Sequence, residues 1–318
     1  MTEFLQLDLA PMLAATLACL ACGLLGNLLL LTRQSLLGDA ISHAVLPGIV
    51  AGFWVSGTRA AAPMVAGAMA AAVGATLLIA LVRSRARLEP GAAMGVVFSG
   101  FFALGLVLIE VSGAHAVDLD VDCVLYGQLE ALIWPAATGP GSLLDPVALA
   151  EFPAEAKTLA LVLLLILGLL ALLWKELRLA AFDPDFARSI GFAPRALSLL
   201  VLVMVSVACV AAFWAVGSIL VIAALVAPAA IARLLTDAYA RQFLLSGAAA
   251  LAMGAGGYWA AALAPRVLGL DHGLNAAGMM AVTAGLLLVG ACLLGRRGPA
   301  GRAQRRVAIP VRAPAAAE

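Results

Sequence analysis

The chain has 318 residues, 64% of them hydrophobic and only 12% charged, with a net charge of +1 and a mean hydropathy of +1.08. A soluble domain of this length needs far more polar surface to cover its core, so a soluble fold is excluded and no nucleic-acid partner is expected. The apolar residues fall in long blocks and not in ten-residue alternation, which points to membrane-spanning helices and excludes a β-barrel.

In chain order the apolar blocks run at 10–32, 42–57, 62–82, 93–112, 157–174, 196–215, 217–235, 242–263 and 275–295. Each is near the roughly 20 residues that a helix needs to cross a bilayer. The second is short and interrupted by Pro47 and Gly48, so it reads as a full span, a broken helix or a half-crossing. Eight or nine crossings are therefore expected, in an all-α polytopic bundle. Residues 1–9 carry Glu3 and Asp8 and no basic residue, so the first block is expected to be retained and not cleaved.

Orientation follows from Lys and Arg. Arg83, Arg85 and Arg87 follow the third block; Lys175, Arg178, Arg188 and Arg195 follow the fifth; Arg233 and Arg241 follow the seventh. With nine crossings these share one side with the Arg-rich end, which makes that side the cytoplasm and puts the N-terminus outside. The opposite side holds 113–156, which has Asp118, Asp120, Asp122, Glu130, Asp145, Glu151 and Glu155 and no Lys or Arg. Its prolines and glycines indicate an external loop, not a domain. Residues 1–297 read as one transmembrane domain and 298–318 as a disordered basic cytoplasmic tail beside the lipid surface. Glycines such as Gly67, Gly74, Gly95, Gly100 and Gly105 lie in the spans, where small residues let helices approach closely.

Ionisable groups at membrane depth are costly and mark function. Asp39 and His43 open the second block, and Glu110 lies near the end of the fourth. A four-residue spacing puts Asp39 and His43 on one helix face. An imidazole nitrogen with a carboxylate oxygen suits manganese, iron or zinc, and an incomplete site suits an ion that must leave again. The competing reading has Asp39 capping the second helix and His43 packing against a neighbour; spacing leaves the two level.

Residues 182–192, Phe-Asp-Pro-Asp-Phe-Ala-Arg-Ser-Ile-Gly-Phe, are the sharpest local signature. Asp183 is placed as N-cap, Pro184 as the first helical residue and Gly191 as the stop, which defines a rigid helix of two turns, roughly 10 Å long. On the cytoplasmic side it suits either docking to a soluble partner or plain connection. The chain has two lysines, Lys157 and Lys175, and neither follows glycine, so no Walker A loop exists and any ATP is bound elsewhere. His115 with Asp118, Asp120 and Asp122, and Asp271 with His272, read as external loop groups. Cys19 and Cys22 read as packing residues within a helix. An ion-coupled secondary transporter using Asp39, His43 and Glu110, or an intramembrane metalloenzyme, are the other classes compatible with these residues.

Three stretches carry a resemblance. Gly38-Asp-Ala-Ile-Ser-His-Ala-Val-Leu-Pro-Gly48 is the first; Lys175-Glu-Leu-Arg178 with Phe182-Asp-Pro-Asp-Phe-Ala187 and Gly191 is the second. Val216-Gly-Ser-Ile-Leu-Val221 with Pro228-Ala-Ala-Ile-Ala-Arg233 is the third. In this order, from residue 10 to 297, the chain resembles the permease subunits of ABC importers for zinc, manganese and iron. Val117-Asp-Leu-Asp120 and Cys123-Val-Leu-Tyr-Gly127 are more similar to the manganese/iron branch. The resemblance implies a bacterial-type cell-membrane permease, paired with itself or a sister permease. It also implies cytoplasmic ABC ATPase subunits and an extracytoplasmic metal-binding protein as partners. No cofactor is bound permanently, Mn2+, Zn2+ or Fe2+ being cargo. Asp39 and His43 match positions that contact the metal. Asp183, Pro184, Asp185, Ala187, Arg188 and Gly191 match the coupling helix that presses into the ATPase.

Overall fold

The computed structural model describes residues 2–58, 60–86, 88–111, 127, 129–269 and 273–295. Among them nine helical segments are long and apolar enough to cross a bilayer. The chain is a multi-pass membrane protein. The short helix α1 (Thr2–Leu7) leads into the first span, α2 (Leu9–Leu31). The second span is a broken helix of full length, α3 (Leu37–Ala44) and α4 (Leu46–Ser56), followed by α5 (Ala61–Ala86) and α6 (Pro90–Val111). After the connecting segment with α7 (Pro146–Ala150) come α8 (Ala154–Leu172), α9 (Trp174–Phe182) and α10 (Pro184–Ser189). The last spans are α11 (Pro194–Val216), α12 (Ser218–Leu235), α13 (Tyr239–Leu251) with α14 (Gly257–Leu268), and α15 (Ala276–Leu294).

α2 and α11 form the centre, with 67% and 72% of their spans buried, whereas α5, α6, α8 and α15 lie between 22% and 28% and turn Leu, Val and Phe outward. Hydrocarbon around the bundle offers no hydrophobic drive to association, so close packing of small side chains has to hold it. α2 accordingly buries Ala14, Ala15, Ala18, Cys19, Cys22 and Gly26 among α8, α11, α12 and α13. Cys19 and Cys22 are free, fully buried packing residues, as their setting indicates. Gly48 and Gly67 bring α4 and α5 backbone to backbone, and Gly105 takes the side chain of Leu46. Gly74, Gly95 and Gly100 differ from expectation: within the chain nothing lies within 4 Å of where their Cβ would stand, so they are not close-approach positions here.

Several polar groups inside the bundle are paired across helices. Asn27 of α2 accepts from the Gln242 amide of α13 at 3.1 Å, and Ser246 donates to the Gly23 carbonyl at 2.8 Å. Thr76 of α5 and Ser206 of α11 share a hydroxyl contact at 2.7 Å. The eighth span widens into a π-turn at Ala252–Gly256, where Gly254 meets the backbone of Thr16.

The described part of the segment between the fourth and fifth spans is tightly built. Trp134 is fully buried; its backbone N–H donates to the Gln6 carbonyl and its indole N–H to the Ala148 carbonyl, both at 2.8 Å, while its ring meets Phe152 edge-on. Gln6 returns a bond to the Ala137 carbonyl at 2.8 Å, which ties α1 to this layer. His115, Asp118, Asp120, Asp122, Cys123, the Asp271–His272 pair and the basic tail lie outside the described residues.

Candidate metal path

α3 is amphipathic in a specific sense. Leu37, Ala40, Ile41 and Ala44 recur at helical spacing and are buried, which fixes the opposite face, with Asp39, Ser42 and His43, outward. The His43 Nε2 atom lies 3.8 Å from Asp39 Oδ1, so the two share one face, as the four-residue spacing requires. Asp39 is not the N-cap. That place belongs to Leu36, and Asp39 is the third helical residue, its backbone carbonyl accepting from the Ser42 hydroxyl at 2.7 Å. The capping half of the competing reading therefore falls, because the helix starts three residues earlier than Gly38–Asp39 suggests.

Pro47 breaks the span just beyond. Lacking an N–H, it offers no i+4 donor to the His43 carbonyl, and the helix divides at Val45. Ile49 still donates to the Val45 carbonyl at 3.0 Å, which carries the hydrogen bonding across the break. The histidine thus sits where its own backbone oxygen is released from the helical ladder.

Two residues invisible to motif reading complete the surroundings. Phe98 and Phe102 of α6 flank the imidazole, at centroid distances of 5.5 Å (tilted by 31°) and 5.6 Å (edge-on at 81°). Only their one-turn spacing hinted that they share a face, and the apolar run around them hid it. They also fix depth: counted from Pro90 at about 1.5 Å per residue, they stand roughly 12 and 18 Å into the span. His43 packs against that stretch while standing about 9 Å along its own span, counted from Leu37, and Asp39 about 3 Å. Glu110 lies two turns past Phe102 on α6, about 12 Å further along. Among the described residues no cluster of three or more His, Cys, Asp or Glu suited to a metal exists. Among the described residues the candidate site is a pair, not a closed cage.

Both side chains of the pair stay open within the single chain, 47% exposed for Asp39 and 43% for His43. A carboxylate half open within a membrane span is costly against lipid and is accommodated only by a water path or another protein surface.

α10 is capped at both ends. The Asp183 carboxylate accepts from the Phe186 N–H at 2.9 Å, and Pro184 opens the helix. Gly191 has φ +93°, its N–H reaches the Arg188 carbonyl at 3.1 Å, and Phe192 N–H reaches the Ala187 carbonyl at 3.0 Å. This is the paired bonding of a Schellman stop. Asp185 and Arg188 form a surface ion pair at 3.1 Å, Ala187 is fully buried as the anchor, and Phe186 and Ile190 project outward.

The chain matches the family model described as "ABC 3 transport family" over residues 2–133 and 153–293. It belongs to the ABC 3 transport family. Among ABC 3 relatives, the manganese transport system membrane protein MntD of Bacillus subtilis is 37% identical over 226 residues, 71% of this chain and 74% of that one. The zinc transport system membrane protein TroD of Treponema pallidum is 36% identical, over 68% of this chain and 56% of its own length. The chelated iron transport system membrane protein YfeC of Yersinia pestis is 34% identical, over 74% and 69%. PsaBC from Streptococcus pneumoniae, solved in complex with Fab, has the same fold with a TM-score of 0.66 and 24% identity, covering 94% of each chain.

Proposed function

We propose that this chain is the membrane-spanning permease subunit of an ATP-driven importer of divalent transition metals, manganese first, with zinc and iron as further cargo. The observation that carries it is the Asp39–His43 pair, half exposed within a broken span. Two ligands from one chain can hold a borderline divalent ion briefly and release it, which is what transit needs. Relatives named for manganese, zinc and iron transport support the class of cargo.

The open face around Asp39 and His43 is closed by a second permease, identical or sister, so that the ion passes between two chains. ATP is bound by separate cytoplasmic subunits that seat on α10, whose outward Phe186 and Ile190 give the contact and whose double cap makes it a rigid lever. Metal is delivered from outside by an extracytoplasmic metal-binding protein.

Reconstitution into liposomes tests this. Manganese uptake should require ATP, the ATPase subunits and the binding protein together, with zinc and iron competing. Uptake by the permease alone under a proton gradient would replace this reading with a secondary transporter.

A further inference from the structure

On the side assigned to the cytoplasm, α9 and the start of α13 enclose a groove of about 810 Å³ that has no part in the metal path. We infer that it is a binding site for the headgroup of an anionic phospholipid of the cytoplasmic leaflet, held by Lys175 and Arg178.

The chemistry converges from three directions. Lys175 and Arg178 stand one turn apart on α9 and both line the groove. Among the described residues neither forms an ion pair, while Asp237, the acid on the rim, is held by Arg233 at 3.6 Å. The groove therefore keeps an excess of positive charge. α13 adds its N-terminus: Ala238 stands at the N-cap, no side chain caps the helix, and Ala238, Tyr239 and Ala240 line the same groove. Free N–H groups at a helix start favour a phosphate oxygen, and the guanidinium of Arg178 matches one in a bidentate way. Tyr239 forms the floor, 8% exposed, its hydroxyl buried without a hydrogen-bond partner.

The location selects a lipid. The groove opens where α8 ends and α13 begins, at the inner edge of two spans, and Trp174, Tyr239 and Phe182 ring it as interfacial aromatics do. Next to it Leu172 (75% exposed) closes α8 and Leu244 (74% exposed) follows on α13, offering apolar surface to acyl chains. A basic pocket between helix ends at the cytoplasmic level is suited to an anionic headgroup.

The full-length protein, purified in detergent, is assayed by native mass spectrometry with phosphatidylglycerol, phosphatidylcholine or glycerol 3-phosphate. Wild type should retain phosphatidylglycerol in preference to phosphatidylcholine. The double variant Lys175→Gln/Arg178→Gln should retain it roughly thirtyfold more weakly, and Lys175→Arg/Arg178→Lys should restore it. Thermal unfolding without lipid shows that each variant is folded. Equal retention by wild type and the double Gln variant overturns the site. Competition by glycerol 3-phosphate as strong as by phosphatidylglycerol overturns the lipid as its source. Unchanged lipid retention with lost ATPase co-purification assigns the groove to the ATPase instead.

Discussion

The imidazole of His43 meets the ring of Phe102 edge-on, 81° apart with 5.6 Å between centroids, while Phe98 covers another side at 5.5 Å. Two rings from a different span thus set the orientation of a side chain whose own helix leaves it half open. Replacing Phe102 by Ala removes an aromatic contact worth about 0.5–1.5 kcal/mol. Metal affinity of the reconstituted transporter should weaken about three- to tenfold, read by isothermal titration. An unaltered affinity would mean that the imidazole needs no support from α6.

Asp39→Ala and His43→Ala each remove half of the pair. Each should lower manganese uptake at least tenfold, by analogy with the 10–100-fold cost of losing even an outer-shell group, while leaving co-purification with the ATPase intact. Normal uptake in either variant ends the assignment of that residue.

α10 offers a test that separates shape from charge. Asp183→Ala loses the cap bond to Phe186, costing about 1 kcal/mol, while Asn caps as well as Asp does. ATP hydrolysis should therefore uncouple from uptake in Asp183→Ala and remain coupled in Asp183→Asn. Gly191→Ala forces a side chain into left-handed backbone at about 1–2 kcal/mol and should uncouple likewise. Coupling that follows the carboxylate charge and ignores cap competence would contradict the rigid-lever account.

Gly67 faces the Gly48 backbone, whereas Gly74 on the same helix faces open space. Gly67→Leu should destabilise the protein by about 1–3 kcal/mol through overpacking and shift α4, and with it the Asp39–His43 face. Gly74→Ala should stay within about 0.5 kcal/mol. Thermal unfolding in detergent, with metal affinity measured in parallel, reads both effects.

Asn27 and Gln242 should show energetic coupling. A double-mutant cycle with Asn27→Ala and Gln242→Ala is expected to give about 0.6 kcal/mol and at most about 1.7 kcal/mol, the range for hydrogen bonds between membrane helices. Additive effects would show that the bond at 3.1 Å contributes nothing to the pairing of α2 and α13.

The amino-acid sequence by itself determined the membrane class, the positions of the spans and both ends of α10. Each of these rests on local physics: hydrocarbon thickness sets span length, and Asp183, Pro184 and Gly191 act within one turn of themselves. It also determined that Asp39 and His43 share a face, because helical spacing requires it. The start of α3 was misplaced, since Gly38 imitates the residue before a cap while Leu36 takes the cap itself. Only the tertiary structure decided what stands around the pair. Phe98 and Phe102 come from α6, about 55 residues on, and apolar runs carry no mark of their partners when nearly every position is apolar. The same holds for the groove beneath Lys175 and Arg178, whose other wall comes from α13. In lipid the chain's hydrophobic pattern reports where the bilayer is, not which helices meet, so contacts between spans depend on shape and small residues and are settled only in three dimensions.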